Sequence, residues 1–365
     1  MILLSYLTLA FLFLRFSVTF TNWLLNPKLP VSTISEKSLV SILIPARNEA
    51  QNIGNTLELI EKQDFENYEI LVLNDNSTDE TAQIVYDFTQ SNPKIKLLNG
   101  KGLPKGWLGK NWACHQLAQE AKGDYFLFVD ADVSIQPKLI ESGIAELEKQ
   151  NLTLLSIFPD QIFGTWGEKI AVPIMHYLLL TLLPLPFVRW FPQASFAAAN
   201  GQFMLFKAEV YRKFQFHEQV KREVTEDIET VRFIKENGLK SGVYLGNSLV
   251  FCRMYRGYSE VVDGFSKNLL AGFGNSAIGL VGFLLMTTLA YISLLWQTPT
   301  VIYLAFTLIL LTNFGLARLS NRPVWETILL HPLKMATLIL IAWKSIIRKR
   351  NKNNFWKGRN IDLSE

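Results

Sequence analysis

One stretch constrains the fold of this chain more than any other: the 50 residues between Lys267 and Arg318 contain no charged side chain. A helix needs about 20 apolar residues to cross the hydrocarbon core of a bilayer. The stretch is therefore long enough for two membrane-spanning helices, which we place near 270–296 and 301–317 with a hinge at the sequence QTPT. A buried hairpin of a soluble domain is a poor interpretation of so long an uncharged run.

The N-terminal 25 residues are also apolar, and Arg15 is their one charged side chain. They lack the basic start and the small-residue cleavage site of a secretory signal peptide, which favours a retained anchor helix over 1–27. Lys28 and Lys37 follow this anchor. Because basic residues favour the cytosolic side of a membrane, we predict that the chain leaves the anchor on that side.

Near the C-terminus, residues 325–343 are apolar but include Pro332 and Lys334, and the tail at 347–365 is strongly basic. The tail is expected to be cytosolic. Since a third crossing would place it outside, we interpret 325–343 as a re-entrant or surface-lying helix of a C-terminal membrane region over 268–346.

Residues 170–191 contain three prolines and Arg189. Proline interrupts helices, so we expect an interfacial segment here rather than a span. A buried core helix is the alternative. Trp190, near the end of this segment, would either lie among the lipid headgroups or line an entrance for a membrane-dissolved substrate.

The composition supports a soluble domain joined to membrane segments. Hydrophobic residues make up 49% of the chain and charged residues 19%, and the mean hydropathy is +0.17. The net charge of +4 is mild, and no nucleic-acid partner is expected. The two cysteines and four histidines show no zinc-site spacing, and a disulfide framework is not expected.

Between residue 39 and about residue 258, apolar runs alternate with amphipathic segments. LVSILIPA, YEILVLND, KIKLL and DYFLFVDA predict strands, and the segments between them predict helices. This alternation is typical of a mostly parallel α/β sheet with helices on both faces. Ligands bind such sheets at the carboxyl ends of the strands. Polar groups follow three of these predicted strands, at 46–49, 74–79 and 130–132.

Two common nucleotide-binding motifs are absent from the sequence. No dinucleotide fingerprint follows the first predicted strand. The LGK sequence at 108–110 is not a P-loop, because Pro104 replaces the first glycine and Asn111 replaces the Ser or Thr. These differences argue against dehydrogenase and P-loop functions.

Asp130 and Asp132 are two residues apart at the end of the fourth predicted strand. In a continuing strand their carboxylates would share one face, where like charges repel unless a cation lies between them. Mg²⁺ typically takes one or two carboxylates together with substrate phosphates. The pair therefore favours a metal-bound diphosphate, although two solvated loop acids would give the same tripeptide.

The order of the motifs is more informative than any one of them. LVSILIPARNE, EILVLNDNSTDET, a GK pair before a helix, GDYFLFVDADV and VTEDIE follow one another. This series resembles inverting family-2 glycosyltransferases of the GT-A fold, over roughly residues 39–260. The resemblance implies a GT-A nucleotide-diphospho-sugar transferase domain over 38–260, flanked by N- and C-terminal membrane helices.

The resemblance also implies roles for individual residues. Asp227 corresponds to the catalytic base, with Glu226 as the rival base. Asp130 and Asp132 correspond to the motif that holds Mg²⁺ or Mn²⁺ and the diphosphate of a UDP-sugar. The residues expected to contact the nucleotide sugar are Pro45, Ala46, Arg47, Glu49, Asp75, Lys110 and Asp130. The residues expected on the acceptor side are Gly201, Gln202, Arg253 and Arg256.

Some of these residues would also suit purely structural roles. An acid at the start of a helix interacts favourably with the helix dipole, so Asp227 and Glu226 need no catalytic role to be stable there. Arg253 and Arg256 would meet lipid headgroups as readily as a diphosphate.

Three further segments, LPKGWLGKNWACHQLA, YRGYSEVVDGFSKN and FWKGR, are similar to a narrower group, the bacterial carotenoid glucosyltransferases of the chlorobactene type. This similarity implies a multi-pass protein of the plasma membrane with a cytoplasmic catalytic domain. It would move one sugar, glucose, from UDP-glucose to a hydroxyl of a lipid such as a carotenoid. The sequence lacks the Q-x-x-R-W motif of processive synthases, which favours a single transfer.

Alternative functions are a polyprenyl-phosphate, hopanoid or ceramide glycosyltransferase. A non-catalytic polysaccharide-assembly protein is a further alternative, but the intact acids argue against it. The expected partners are a nucleotide sugar, a membrane lipid acceptor and the bilayer itself.

Overall fold

The computed structural model describes residues 2–34 and 38–351, and the backbone of two short strands at 355–356 and 359–360. Lys37 and most of the basic tail lie outside the described residues. The chain divides into two compact units. The sheet unit comprises Lys28–Ile162, Phe187–Met254 and Phe355–Glu365. The helical unit comprises Met1–Pro27, Phe163–Pro186 and Tyr255–Asn354.

Strands and helices are numbered in chain order. The strands are β1 Val40–Ala46, β2 Tyr68–Asn74, β3 Ile95–Asn99, β4 Tyr125–Val129, β5 Val133–Ile135, β6 Leu154–Phe158, β7 Asp160–Gln161, β8 Phe203–Lys207, β9 Ser241–Leu245, β10 Val250–Cys252, β11 Phe355–Trp356 and β12 Arg359–Asn360. The helices are α1 Ile2–Leu25, α2 Ile53–Glu61, α3 Thr81–Ser91, α4 Gly109–Glu120, α5 Leu139–Lys149, α6 Trp166–Ala171, α7 Ile174–Leu182, α8 Pro186–Trp190, α9 Ala208–Phe214, α10 Phe216–Gln219, α11 Glu226–Glu236, α12 Tyr258–Gly272, α13 Ala277–Thr287, α14 Pro299–Leu319, α15 Val324–Leu329 and α16 His331–Arg350. Short 3₁₀ helices cover Ala194–Phe196 and Leu289–Trp296.

The sheet unit is built on a seven-stranded sheet in the order β3-β2-β1-β4-β8-β6-β9. Its strands are parallel except β8, which runs antiparallel to β4 and β6. The predicted α/β fold with a mostly parallel sheet is therefore confirmed. β1, β2 and β4 are buried almost throughout, which explains their near-continuous apolar sequences. Their parallel registers bring the carboxyl ends of β1, β2 and β4 to one edge.

A second, three-stranded sheet in the order β5-β10-β7 belongs to the same unit. β5 begins directly after the Asp130–Asp132 turn and pairs antiparallel with β10, so that Cys252 lies opposite Val133. This small sheet therefore places the end of β10 beside the two acids.

Helix α1 of the helical unit has an inverted polarity. Its buried side chains are Ser5, Thr8, Leu12, Arg15, Thr19 and Asn22, whereas its exposed face carries leucine, phenylalanine and tryptophan. A soluble helix buries its apolar side, so this arrangement is typical of a helix surrounded by lipid. Asn22 illustrates the polar packing, since its Nδ2 donates to the carbonyl oxygens of Leu180 and Leu183 and its Oδ1 accepts from the Leu185 N–H.

Within the described residues, three helical segments are long and apolar enough to cross a membrane: Ile2–Leu25, Ala277–Trp296 and Pro299–Leu319. The second segment consists of α13 and the 3₁₀ helix that follows it. The predicted start of the second segment near residue 270 is corrected to Ala277. Residues 270–272 complete α12, and Gly274 and Asn275 end that helix with φ values of 62° and 60°. The uncharged run therefore includes a turn that its composition did not reveal.

The two proline-containing segments predicted at 170–191 and 325–343 are both divided into several helices. Residues 166–190 contain α6, α7 and α8. Pro332 lies in the first turn of α16, where proline has no helical hydrogen bond to lose. Their depth in the membrane stays a prediction.

Candidate active site

The loops after β1 and β2 are joined by hydrogen bonds. The Asp75 N–H donates to the Ala46 carbonyl at 2.8 Å, and the Arg47 Nη1 donates to the Asp75 carbonyl at 2.7 Å. Asp75 is 5% exposed. Pro45 is the one half-buried residue of β1, and Glu49 lies in the loop that follows, where its N–H donates to Thr81 Oγ1 at 2.8 Å. Arg47 and Asp75, two of the residues predicted to contact the nucleotide, thus lie in two interlocked loops.

Asn48 and Asn76 let both loops turn sharply. They have φ values of 52° and 53°, a region that asparagine tolerates better than most residues. The Asn48 N–H donates to Ser77 Oγ at 3.0 Å, and Asn48 Oδ1 accepts from the Thr78 N–H at 2.8 Å. These reciprocal bonds fix one loop against the other before any ligand binds.

Lys110, in the first turn of α4, lies between two acids from distant parts of the chain. Its Nζ is 2.9 Å from Asp130 Oδ1 and 3.3 Å from Glu226 Oε1. It also lies 3.4 Å from the Gly201 carbonyl oxygen. Burial alone would lower the pKa of the Lys110 ammonium, but the carboxylates of Asp130 and Glu226 raise it well above its usual value. Lys110 is therefore a fixed positive charge.

Gly201 lies where any larger residue would disturb this charge cluster. A Cβ atom at this position would be 3.0 Å from Glu226 Oε1 and 3.1 Å from Lys110 Nζ. The Gly201 N–H donates to Asp227 Oδ2 at 3.0 Å. One glycine thus contacts Lys110 through its carbonyl and Asp227 through its N–H.

Asp227 lies in the first turn of α11. Its Oδ1 accepts from the Ile228 N–H at 2.8 Å, and its Oδ2 accepts from Gly201. Burial, and next the negative charge of Glu226, raise the pKa of Asp227 to about 7. A carboxylate poised near neutral pH suits a general base, and the helix dipole alone would not raise the pKa.

Asp132 is close to Cys252, which also contacts Gln202. Gln202 is 3% exposed, and its Nε2 lies 2.9 Å from the Cys252 Sγ. Burial, and next the negative charges of Asp132 and Asp130, raise the pKa of the Cys252 thiol well above its usual value. The thiol therefore stays protonated.

The donor set fits a hard divalent cation that is shared with a ligand. Carboxylate oxygens suit Mg²⁺ and Mn²⁺, whereas a protonated thiol is not a ligand. Within residues 2–34 and 38–351, no three His, Cys, Asp or Glu side chains form a group that holds a metal alone. Asp130 and Asp132 would therefore need phosphate oxygens or water to complete the coordination.

The structure brings most of the predicted site residues together in the sheet unit, and the two predicted acceptor-side arginines belong to different units. Arg253 follows β10 in the sheet unit, whereas Arg256 belongs to the helical unit, where its N–H donates to Glu260 Oε2 at 2.6 Å. Their roles at the acceptor stay predictions.

Sequence reasoning missed two supporting residues. Thr56 Oγ1, on α2, donates to the Ala131 carbonyl at 2.8 Å and so holds the Asp130–Asp132 turn. Cys252, which comes much later in the sequence at the end of β10, lies beside the same turn. Neither residue stands in a recognisable motif, because both contacts depend on tertiary packing.

His115 has a structural role in an aromatic group. Its ring lies 5.0 Å from the Trp107 ring and is stacked on Trp112 at 5.6 Å. Burial lowers its pKa. It is therefore a neutral member of a group that α4 and the preceding loop form together.

Comparison with known proteins finds a family match over part of the chain. Residues 41–213 match the family described as glycosyl transferase family 2. The chain is 26% identical over 351 residues to the 4,4'-diaponeurosporenoate glycosyltransferase of Staphylococcus aureus strain USA300, and the alignment covers 89% of each protein. The protein of that name from the bovine strain RF122 / ET3-1 is 29% identical over 250 residues, which are 66% of this chain and 63% of that protein.

The fold is similar to that of a mannosyltransferase from Pyrobaculum calidifontis, whose structure was solved in complex with GDP-Man and Mn²⁺. The TM-score is 0.54 with 16% sequence identity, and the alignment covers 95% of this chain and 99% of that one. At this identity the likeness concerns the GT-A fold alone.

Proposed function

We propose that this chain, whose residues 41–213 match glycosyl transferase family 2, is a glycosyltransferase that moves one glucose from UDP-glucose to a hydroxyl group of a membrane-dissolved lipid such as a carotenoid. The observation that carries the proposal is the connection made by Gly201. It joins Asp227, whose pKa is about 7, to the Lys110–Asp130 pair of the donor side.

Asp227 is the proposed general base. It would accept the proton of the acceptor hydroxyl while that oxygen attacks the anomeric carbon of the sugar. The bond from this carbon to the diphosphate then breaks, and its electrons leave with the diphosphate. Glu226 is a positioning residue, because its carboxylate is engaged by Lys110 and its charge raises the pKa of Asp227.

Asp130 and Asp132 would hold Mg²⁺ or Mn²⁺ together with the diphosphate. When bound, the ion supplies positive charge that stabilises the leaving diphosphate. Lys110 adds a permanent positive charge on the same side of the site. Arg47 and Asp75 would position the base and ribose through the interlocked loops after β1 and β2.

The acceptor is proposed from the relative. That protein is named for a carotenoid carboxylate, and the buried polar stripe of α1 together with the two other apolar helices suits an enzyme that works at a bilayer. A multi-pass location in the plasma membrane, with the sheet unit in the cytoplasm, would give the site access to nucleotide sugars. A carboxylate or phosphate acceptor needs no base, whereas a hydroxyl does.

The proposal is tested by UDP release from UDP-glucose in detergent with Mn²⁺, with and without a lipid extract. Release that rises with lipid is expected for the wild type and is lost in Asp132→Ala and Asp227→Asn. Glu229→Gln is the matched control, because Glu229 is another acid of the first turn of α11 and pairs with Arg232. Lipid-stimulated release that survives Asp227→Asn would indicate an acceptor that is already ionised.

A further inference from the structure

Four aromatic side chains of the sheet unit form an exposed cluster. Phe187 lies 6.0 Å from Trp190, 4.8 Å from Phe191 and 5.6 Å from Phe196, measured between ring centroids. Phe191 and Phe196 are 5.3 Å apart. Trp190 is 49% exposed and Phe191 is 39% exposed. We call these four residues the aromatic cluster.

The backbone under the aromatic cluster is firmly held. Lys235 is 6% exposed, and its Nζ donates to the carbonyl oxygens of Val188 and Phe191 at 2.6 Å each. Arg189 Nη1 donates to Tyr244 Oη at 2.8 Å. Because both cations have partners inside the protein, the surface that the cluster presents consists of apolar rings rather than of charges that attract headgroups.

The aromatic cluster is continuous with the active site in two ways. Along the chain, Phe196 precedes Gly201 by five residues, with Ala198 and Ala199 buried between them. In space, α11 packs against the 3₁₀ turn that contains Phe196. The same helix carries Asp227 in its first turn and Lys235 in its last, about 12 Å apart at 1.5 Å per residue.

We propose that the aromatic cluster binds the apolar chain of the lipid acceptor and thereby sets its reactive end beside Asp227. The inference rests on the proposed function, since it needs a lipid acceptor. Rigid aromatic rings provide a large contact area for a flat or isoprenoid chain at a low cost in side-chain entropy. Specificity for long apolar acceptors then resides in this cluster, apart from the charged groups that perform the transfer.

Retinol, an apolar polyene with a terminal hydroxyl, is a direct probe. Its binding to the full-length protein in detergent is measured by retinol fluorescence, which needs no turnover. The Trp190→Ala/Phe191→Ala double variant is expected to bind retinol about tenfold or more weakly. The single variant Trp190→Phe should keep most of the wild-type affinity for retinol, because it retains an aromatic ring at the same place.

The matched control is Trp343→Ala, which removes a comparably exposed tryptophan from α16 of the helical unit. It should bind retinol as the wild type does, and UDP affinity should stay unchanged in every variant if the sheet unit remains folded. Three results would overturn the proposal: equal retinol affinity in the double variant, an equal loss in Trp343→Ala, or no retinol binding by the wild type.

The test separates this inference from the proposed function. Asp227→Asn should bind retinol normally, although it is expected to transfer no sugar. Absence of sugar transfer by the wild type with intact retinol binding would refute the function and leave the apolar binding surface. Lipid-stimulated transfer that is unchanged in the double variant would refute the surface and leave the function.

Discussion

The rate of transfer should depend on pH through Asp227. Its pKa of about 7 means that about half of the molecules carry the ionised base at pH 7, about one in eleven at pH 6 and about ten in eleven at pH 8. The kcat/KM for the acceptor should therefore fall about tenfold for each pH unit below 7. An aspartate with an ordinary pKa of 3.8 would leave the rate unchanged over this range.

Glu226→Gln tests the cause of this pH dependence. Burial makes the largest contribution to the raised pKa of Asp227, and the charge of Glu226 makes the next. Removing that charge also frees Lys110, whose positive charge lowers the same pKa. The acidic limb of the pH–rate profile should therefore move to lower pH, yet remain above the ordinary aspartate range because Asp227 stays buried.

The assay is the initial rate of acceptor-dependent UDP release between pH 5.5 and pH 8.5, about the range over which this limb lies. Glu229→Gln is the control, because it changes an acid of the same helix turn that has its own partner in Arg232. A profile that is flat below pH 8 would refute the assignment of Asp227 as the base. A limb that is identical in wild type and Glu226→Gln would refute the electrostatic role of Glu226.

Three further predictions concern the same cluster. Gly201→Ala should lower kcat about tenfold or more with little change in Tm, since its methyl would lie 3.0 Å from Glu226 Oε1. The control is Gly102→Ala, whose methyl would meet nothing within 4 Å and which should be neutral in the same steady-state and melting assays. Equal kcat values for the two variants would contradict the steric argument. Lys110→Met should raise the affinity of the nucleotide-free protein for Mn²⁺ in electron paramagnetic resonance titrations, because it removes a competing cation 2.9 Å from Asp130. The control is Lys105→Met, at an exposed lysine of the preceding loop. An unchanged Mn²⁺ affinity in Lys110→Met would show that Lys110 does not compete with the ion. Since the folded-state pKa of Asp227 is raised, its contribution to the stability of the folded protein is present below about pH 4 and is lost as pH rises towards 7. Between about pH 4 and pH 7 the Tm of Asp227→Asn should consequently fall less than the Tm of the wild type. Parallel plots of Tm against pH for the two proteins would contradict the raised pKa.

The fold of the sheet unit could be predicted because its signals are local. LVSILIPA and DYFLFVDA are continuous apolar runs, and they form β1 and β4 at the centre of the sheet. Periodicity likewise predicted α2, whose Ile53, Leu57 and Ile60 are buried on one face. The antiparallel β8 was not predicted, because strand direction depends on pairing with distant strands.

The candidate site was predicted in part. The motifs identified Asp130, Asp132 and Asp227 as separate elements, but no local pattern could show that Lys110 joins Asp130 to Glu226. The contact of Lys110 with Glu226 spans more than 90 residues of sequence, as does the contact of Gly201 with Lys110. The early start predicted for the second apolar helix has a different cause, because hydropathy does not register the turn at Gly274.

Asp227 is proposed to activate a hydroxyl of a lipid acceptor for transfer of a sugar. The most direct measurement follows radiolabelled glucose from UDP-glucose into the organic phase, using vesicles that contain either a carotenoid alcohol or a carotenoid carboxylate. Label is expected in the alcohol fraction for wild type with Mn²⁺, with a loss of about 100- to 10,000-fold in Asp227→Asn. Equal labelling of the alcohol by wild type and Asp227→Asn, or label in the carboxylate alone, would contradict it.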